Sequence, residues 1–205
     1  IVLGEVVESD HADYPVGTLV SARTAWEEQS VLDGSDLCSP LEVASDVPLH
    51  QYMGILGPTG MTAWIGLFEI GQPKPGETVV VSAAGGAVGT VVGQLAKAEG
   101  GRVIGLTRTR DKADWLESAV GYDVVIDRET QPDLDGALRE ACPDGVDIFF
   151  DNVGGEALDT VMSQLREQAR LVLCGAISQY ESAVQPLNNS WELITKRARM
   201  EGFMF

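Results

Sequence analysis

The segment Thr78-Val79-Val80-Val81-Ser82-Ala83-Ala84-Gly85-Gly86-Ala87-Val88-Gly89 carries a β-branched apolar run into a turn of small residues. Beyond the turn, Val88, Val91, Val92, Leu95 and Ala96 recur at helical spacing, so the hydrophobic period changes from 2 to 3.6 across the glycines. A strand–turn–helix of this kind can hold a dinucleotide pyrophosphate. Backbone N–H groups at the helix start point at the phosphates, and the helix dipole favours their charge. Read as G-x-G-x-x-G, the match is Ala84-x-Gly86-x-x-Gly89, with alanine in the first glycine place. A plain buried strand packed on its helix would also use Gly89, for close approach alone, so the flanking sequence has to arbitrate.

On both sides strand and helix patterns alternate. Gly57-Pro58-Thr59-Gly60 opens a helix whose apolar side is Met61, Trp64, Ile65, Leu67 and Phe68, and the stretch Gly71 to Gly76 stops it. After the central unit come strands over Arg102–Thr107, Asp123–Ile126, Val146–Asp151, Arg170–Cys174 and Met200–Phe205. Helices are expected over Asp111–Ala119, Leu134–Ala141 and Glu156–Leu165, with a helical turn over Trp191–Lys196. The predicted class is α/β, a doubly wound six-stranded parallel sheet covered on both faces. The first quarter differs: Ile1–Val7 and the stretch feeding Val20 read as strands, and no helix of any length follows. It is too short to bury a core alone and reads as the tail of a domain begun upstream. A chain opening at Ile1 fits that reading, and targeting signals fall outside it.

The chain has 205 residues and a formal net charge of −17, with two histidines. Such acidity argues against nucleic acid or an anionic membrane as partner. It fits either a solvated acidic surface or a high-salt habitat. No apolar run is long enough to span a bilayer. Cys38, Cys142 and Cys174 are odd in number and far apart, which fits a reducing cytosol better than a disulfide framework. Cys174 sits in an apolar run, as a small core residue would. No hydrolase elbow, P-loop or metal-ligand cluster is present, so no metal is expected, and His11 and His50 read as surface residues.

In an open α/β sheet, ligands bind beyond the carboxyl ends of the strands. After the second strand an NAD site needs a carboxylate for the ribose 2′-hydroxyl. Here Thr107 is followed by Arg108, Arg110 and Lys112, and Arg128 follows the third strand. Those cations suit a 2′-phosphate, with Lys112 favoured first and Arg128 next; a solvated helix start with Asp111 as its acidic residue is the plainer alternative. After the fourth strand, Asp151-Asn152-Val153-Gly154-Gly155 allows close backbone approach, or makes a tight turn. After the fifth, the segment Cys174, Gly175, Ala176, Ile177, Ser178, Gln179 and Tyr180 serves equally as a wrap for a cofactor's reactive end or as a plain loop.

Together with Gly60-Met61-Thr62-Ala63-Trp64 and the segment from Lys196 to Phe203, these blocks resemble the zinc-independent medium-chain dehydrogenase/reductase superfamily. Within it they are most similar to the prostaglandin reductase (leukotriene B4 dehydrogenase) and alkenal double-bond reductase family. The resemblance implies part of a GroES-like β domain over residues 1–56 and a Rossmann cofactor domain over 57–205. It also implies NADPH as cofactor and reduction of the carbon–carbon double bond of α,β-unsaturated aldehydes or ketones. Gly86, Ala87, Val88 and Gly89 match the pyrophosphate loop and Lys112 the 2′-phosphate lysine; Asn152, Cys174 to Tyr180 and Phe203 match positions lining ribose and nicotinamide. Arg128 and Thr195 stand where relatives often have tyrosine, and no catalytic side chain is identified. A quinone oxidoreductase of the same superfamily would share these motifs, and so would a catalytically silent nucleotide-binding protein. The apolar last strand, at a sheet edge, would pair with its mate in a homodimer.

Overall fold

A computed structural model describes residues 1–33, 38–181 and 184–204. The chain divides into two compact units, Ile1–Pro58 and Thr59–Phe205.

In the first unit, β1 (Val2–Glu5), β2 (Leu19–Ala22) and β3 (Cys38–Pro40) form an antiparallel sheet in the order β1-β2-β3. Its small core is Val20 and Ala22, with Val2, Val6 and Tyr14 against them. The expected strand at Ile1–Val7 is shorter, and a 3₁₀ turn over Leu49–Tyr52 is the only helical piece before Pro58 among the described residues.

The second unit opens with α1 (Pro58–Trp64), which runs into a π-helical stretch, Ile65–Gly71. Gln72, left-handed at φ 50°, ends it. Then follow β4 (Thr78–Val81), α2 (Ala87–Ala98), β5 (Arg102–Thr107), α3 (Arg110–Trp115) and β6 (Val124–Asp127). After these come α4 (Leu134–Ala141), β7 (Val146–Asp151), α5 (Gly155–Met162), β8 (Leu165–Leu173), α6 (Glu192–Thr195) and β9 (Arg199–Gly202). The six strands lie in the order β6-β5-β4-β7-β8-β9, and every pairing is parallel. The expected doubly wound sheet is therefore present. Its order reverses between β4 and β7, which opens a crevice at their carboxyl ends.

Period-2 alternation sorts the side chains between two cores. Val79, Val81, Val103, Ile148 and Phe150 join Ala63, Leu67, Val92 and Leu116 on one face. Val80, Ile104, Leu106 and Phe149 join Leu138, Leu158 and Met162 on the other. Each large side chain fully buried there stabilises the fold by about 1.5–3 kcal/mol, so both faces must stay covered.

Several expected boundaries move. The helix expected to reach Leu165 ends at Met162, because Leu165 pairs with Val146 and already belongs to β8. A bulge in the β7–β8 pairing follows, where Gln168 is left-handed (φ 64°) and its N–H donates to Lys196 O. The strand expected over Arg170–Cys174 is thus longer at its start. The helix expected over Asp111–Ala119 is α-helical only to Trp115 and π-helical from Leu116 to Val120, ending at left-handed Gly121. The last strand stops at Gly202; Phe205, its expected end, lies outside the described residues. No helix among the described residues is long and apolar enough to cross a membrane.

Candidate cofactor site at the switch point

The glycine-rich turn leaves β4 at the switch point. Ala84, in the first glycine place, is fully buried and needs no positive φ; its N–H donates to Leu106 O on β5 (3.0 Å). The left-handed residue is its neighbour Ala83, at φ 47°. Gly89 is required by packing, since a Cβ there would lie 2.5 Å from Ala83 O. Gly86 is the N-cap of α2 and no side chain caps that end, which leaves the N–H groups of the Ala87-Val88-Gly89 turn for an anion.

One cation lies against this turn and a second is anchored at the tip of β5. The stem of Lys112 lies across Gly85, where an added Cβ would be 3.2 Å from Lys112 Cδ. Arg128 is anchored through its backbone, whose N–H donates to Thr107 O at the tip of β5 (3.1 Å). Its Nη2 reaches Glu156 Oε2 at 3.2 Å, while its Nε is buried and has no hydrogen-bond partner among the described residues. Arg108 and Arg110 are exposed, and Arg110 is paired with Asp114 one turn along α3. The structure thus sets the Lys112 stem beside Gly85 and Arg128 at the tip of β5, and pairs Arg110 with Asp114.

Across the switch point a buried network joins β4 to β7. Ser82 Oγ donates to Asp151 Oδ1 (2.7 Å) and accepts from the Asn152 N–H (2.7 Å); Asn152 Nδ2 donates to Ser82 O (2.8 Å). Asp151 also accepts from the N–H groups of Val153 and Gly154. Burial pushes its carboxyl pKa up, against those hydrogen bonds. Ser82 is not singled out by the sequence reading; a hydroxyl directly after the three valines Val79–Val81 is its only local signal.

The segment after β8 folds over this network. Cys174 and Gly175 donate their N–H groups to Asp151 O, Ile177 to Asn152 O, and Ser178, through both N–H and Oγ, to Val153 O. Ala176 N–H donates to the Tyr180 hydroxyl (3.3 Å), and Ile177 and Tyr180 are exposed. Gly154 is left-handed (φ 70°), a backbone conformation that strains any residue with a side chain. The Phe203 ring packs edge-on against Phe150, centroids 6.5 Å apart. Cys174 is half-buried rather than a full core residue, and burial, with Asp151 nearby, pushes its thiol up to about 11. At the other end of the sheet, a polar cavity of about 340 Å³ is walled by mutually paired charges such as Glu77 and Arg170. It is remote from the glycine turn.

A sheet of this order with a glycine turn at its reversal defines a dinucleotide-binding domain. The family model described as "Zinc-binding dehydrogenase" matches residues 87–205. The chain is 44% identical over 203 residues to a 2-alkenal reductase (NADP(+)-dependent) of Nicotiana tabacum, covering 98% of this chain and 59% of that protein. It is 43% identical to prostaglandin reductase 1 of Oryctolagus cuniculus, over 99% of this chain and 59% of that protein. The structure of CurA from Vibrio vulnificus in complex with NADPH superposes with a TM-score of 0.86 at 39% identity, over 98% of this chain and 61% of that one. The chain belongs to the zinc-independent medium-chain dehydrogenase/reductase family. It spans about three fifths of the length of these relatives.

The two groups that the family brings to mind fare differently. Among the described residues no three His, Cys, Asp or Glu side chains gather as metal ligands, so these residues do not fit zinc. A 2′-phosphorylated dinucleotide fits, because the start of α2 is uncapped, the Lys112 stem lies across the glycine turn, and Arg128, anchored at the tip of β5, has an Nε with no partner among the described residues.

Proposed function

We propose that the complete protein is an NADPH-dependent reductase of the carbon–carbon double bond of α,β-unsaturated aldehydes or ketones. The observation that carries the cofactor half is the tip of β5, where Thr107 is followed by no carboxylate and Arg128 is hydrogen-bonded to it with Nε unpartnered. The reaction half is supported by the names of relatives, a 2-alkenal reductase and a (+)-pulegone reductase among them. Residues 1–56 would be the later part of a GroES-like substrate domain, and 57–205 the cofactor domain.

In this reading Gly86, Ala87, Val88 and Gly89 hold the pyrophosphate and Lys112 with Arg128 the 2′-phosphate. Asn152, Cys174 to Ser178, Tyr180 and Phe203 line ribose and nicotinamide. Bound NADPH supplies the hydride. Ser82 and Asp151 keep Asn152 and the Gly154–Gly155 turn in register across the crevice, so the bound group meets a prearranged wall. No side chain is assigned as proton donor, and Thr195 stands where relatives often have tyrosine.

The acidic chain and its unpaired cysteines fit a cytosolic protein without nucleic-acid or membrane partners. The edge of β9, which among the described residues pairs only with β8, supports a homodimer continuing the sheet; a monomeric mass for the complete protein at micromolar concentration would exclude it. The function is tested by following NADPH oxidation with simple enones and with quinones. Faster turnover of enones is expected. Preference for quinones would favour the second reading, which a 32% identical mycobacterial quinone oxidoreductase structure (TM-score 0.60, over 71% of this chain and 44% of that one) keeps in view. Cofactor binding without turnover would mean a silent nucleotide-binding protein.

A further inference from the structure

We propose that Glu156 is a specificity-determining residue, holding the Arg128 guanidinium when no phosphate is present and yielding it to the cofactor's 2′-phosphate. The inference rests on the NADPH reading above. Arg128 and Glu156 come from different elements, β6's tip and the first turn of α5, and meet at 3.2 Å. Their exposures differ: the Arg128 side chain is 30% accessible and Glu156 70%. The arginine is thus largely held by its surroundings while its carboxylate partner stands in solvent and can swing away.

Three features make the exchange favourable. An exposed ion pair is weak, worth at most about five-fold in an equilibrium constant. A phosphate offers a guanidinium two parallel charge-assisted bonds, and here Nε waits without a partner beside the engaged Nη2. Glu156, once released, remains in the first turn of α5, where the helix dipole favours a negative charge and no side chain occupies the cap. The neighbouring carboxylate of Asp127 does not compete for Arg128. It is buried and bonded to the Glu129 N–H and the Thr130 hydroxyl. NADH has no 2′-phosphate to offer, so it leaves the Arg128–Glu156 pair intact and gains nothing from the arginine.

The test is the dissociation constant of NADPH and of NADH, read by fluorescence or calorimetry on the complete protein. Glu156→Gln should tighten NADPH about three- to five-fold and leave NADH unchanged. Glu156→Ala should do the same, which guards against an effect special to glutamine. In an Arg128→Gln background the Glu156→Gln change should no longer alter NADPH affinity. Unchanged or weaker NADPH binding in both Glu156 variants, an equal shift for NADH, or an effect that survives in Arg128→Gln would each overturn the exchange. A parent protein that binds both cofactors equally would instead sink the NADPH reading itself. A parent that prefers NADPH, with silent Glu156 variants, sinks only this inference.

Discussion

Lys112 does two jobs with one side chain. Its methylenes pack across Gly85, and the exposed residue keeps its ammonium free to meet an anion. A hydrogen bond to a charged group is worth roughly 1.5–3 kcal/mol, so Lys112→Ala should weaken NADPH binding by about ten- to a hundred-fold. NADH binding should hardly change; an equal loss for both cofactors in titration would remove Lys112 from the 2′-phosphate. Cys174 faces the opposite demand. Burial and then Asp151 raise its thiol pKa to about 11. Only the thiolate reacts, so alkylation of Cys174 by iodoacetamide should be slow at pH 7.5 and quicken about tenfold per pH unit toward 11. Mass spectrometry of the labelled peptide checks this. Rapid, pH-independent labelling would show that the thiol is not so shielded.

Among the elements, α2 is the one whose position the site cannot vary. It lies so close to the turn that a Cβ on Gly89 would be 2.5 Å from Ala83 O, and one on Gly93 would be 2.3 Å from the Tyr122 ring. Tyr122 is wedged there: its hydroxyl donates to Gly89 O (2.7 Å), and Gly105 makes space for its ring. Gly93→Ala sets two effects against each other. Alanine improves helix propensity by about 1 kcal/mol. The clash with a fully packed ring costs about 1–3 kcal/mol and should win. We expect a net loss of stability in urea unfolding for both Gly89→Ala and Gly93→Ala, with cofactor affinity falling more in the former because it displaces the turn. Most elements were legible in sequence because their hydrophobic period is local. What was not legible, the π-helical character of Ile65–Gly71 and Leu116–Val120 and the early start of β8, depends on distant partners. Arg170 and Arg199 donate to the carbonyls of Ile70, Gly71 and Gln72, which holds the end of the first of these.

For the whole molecule, charge sets how stability responds to solution conditions. Arg170 also grips Glu77 with both side chains about 15% exposed or less. Burial alone would raise the Glu77 pKa, but the Arg170 hydrogen bonds and charge, with the Lys74 N–H, hold it below the ordinary value. Its contribution is fully present above the unfolded pKa of about 4.3 and is lost as pH falls through the folded value. Glu77→Gln should therefore cost about 1–3 kcal/mol at pH 7 and flatten the acid limb of the stability curve below about pH 4.3. A net charge of −17 adds self-repulsion that salt screens. Raising ionic strength from 0.05 M to above 1 M should raise Tm, and a flat response in thermal scans would count against it.

By itself the sequence determined the alternation of strand and helix, the glycine turn after β4 and the absence of a carboxylate at the tip of β5. Each is written in neighbouring residues, through period, turn chemistry and charge. Only the tertiary structure decided that the Lys112 stem lies across Gly85 while Arg110 pairs with Asp114, that Ser82 and Asp151 lock together across 69 residues, and that Arg128 finds Glu156 across 28. Those pairings follow from strand order and helix crossing, which bring distant side chains within hydrogen-bond reach and leave no local pattern behind.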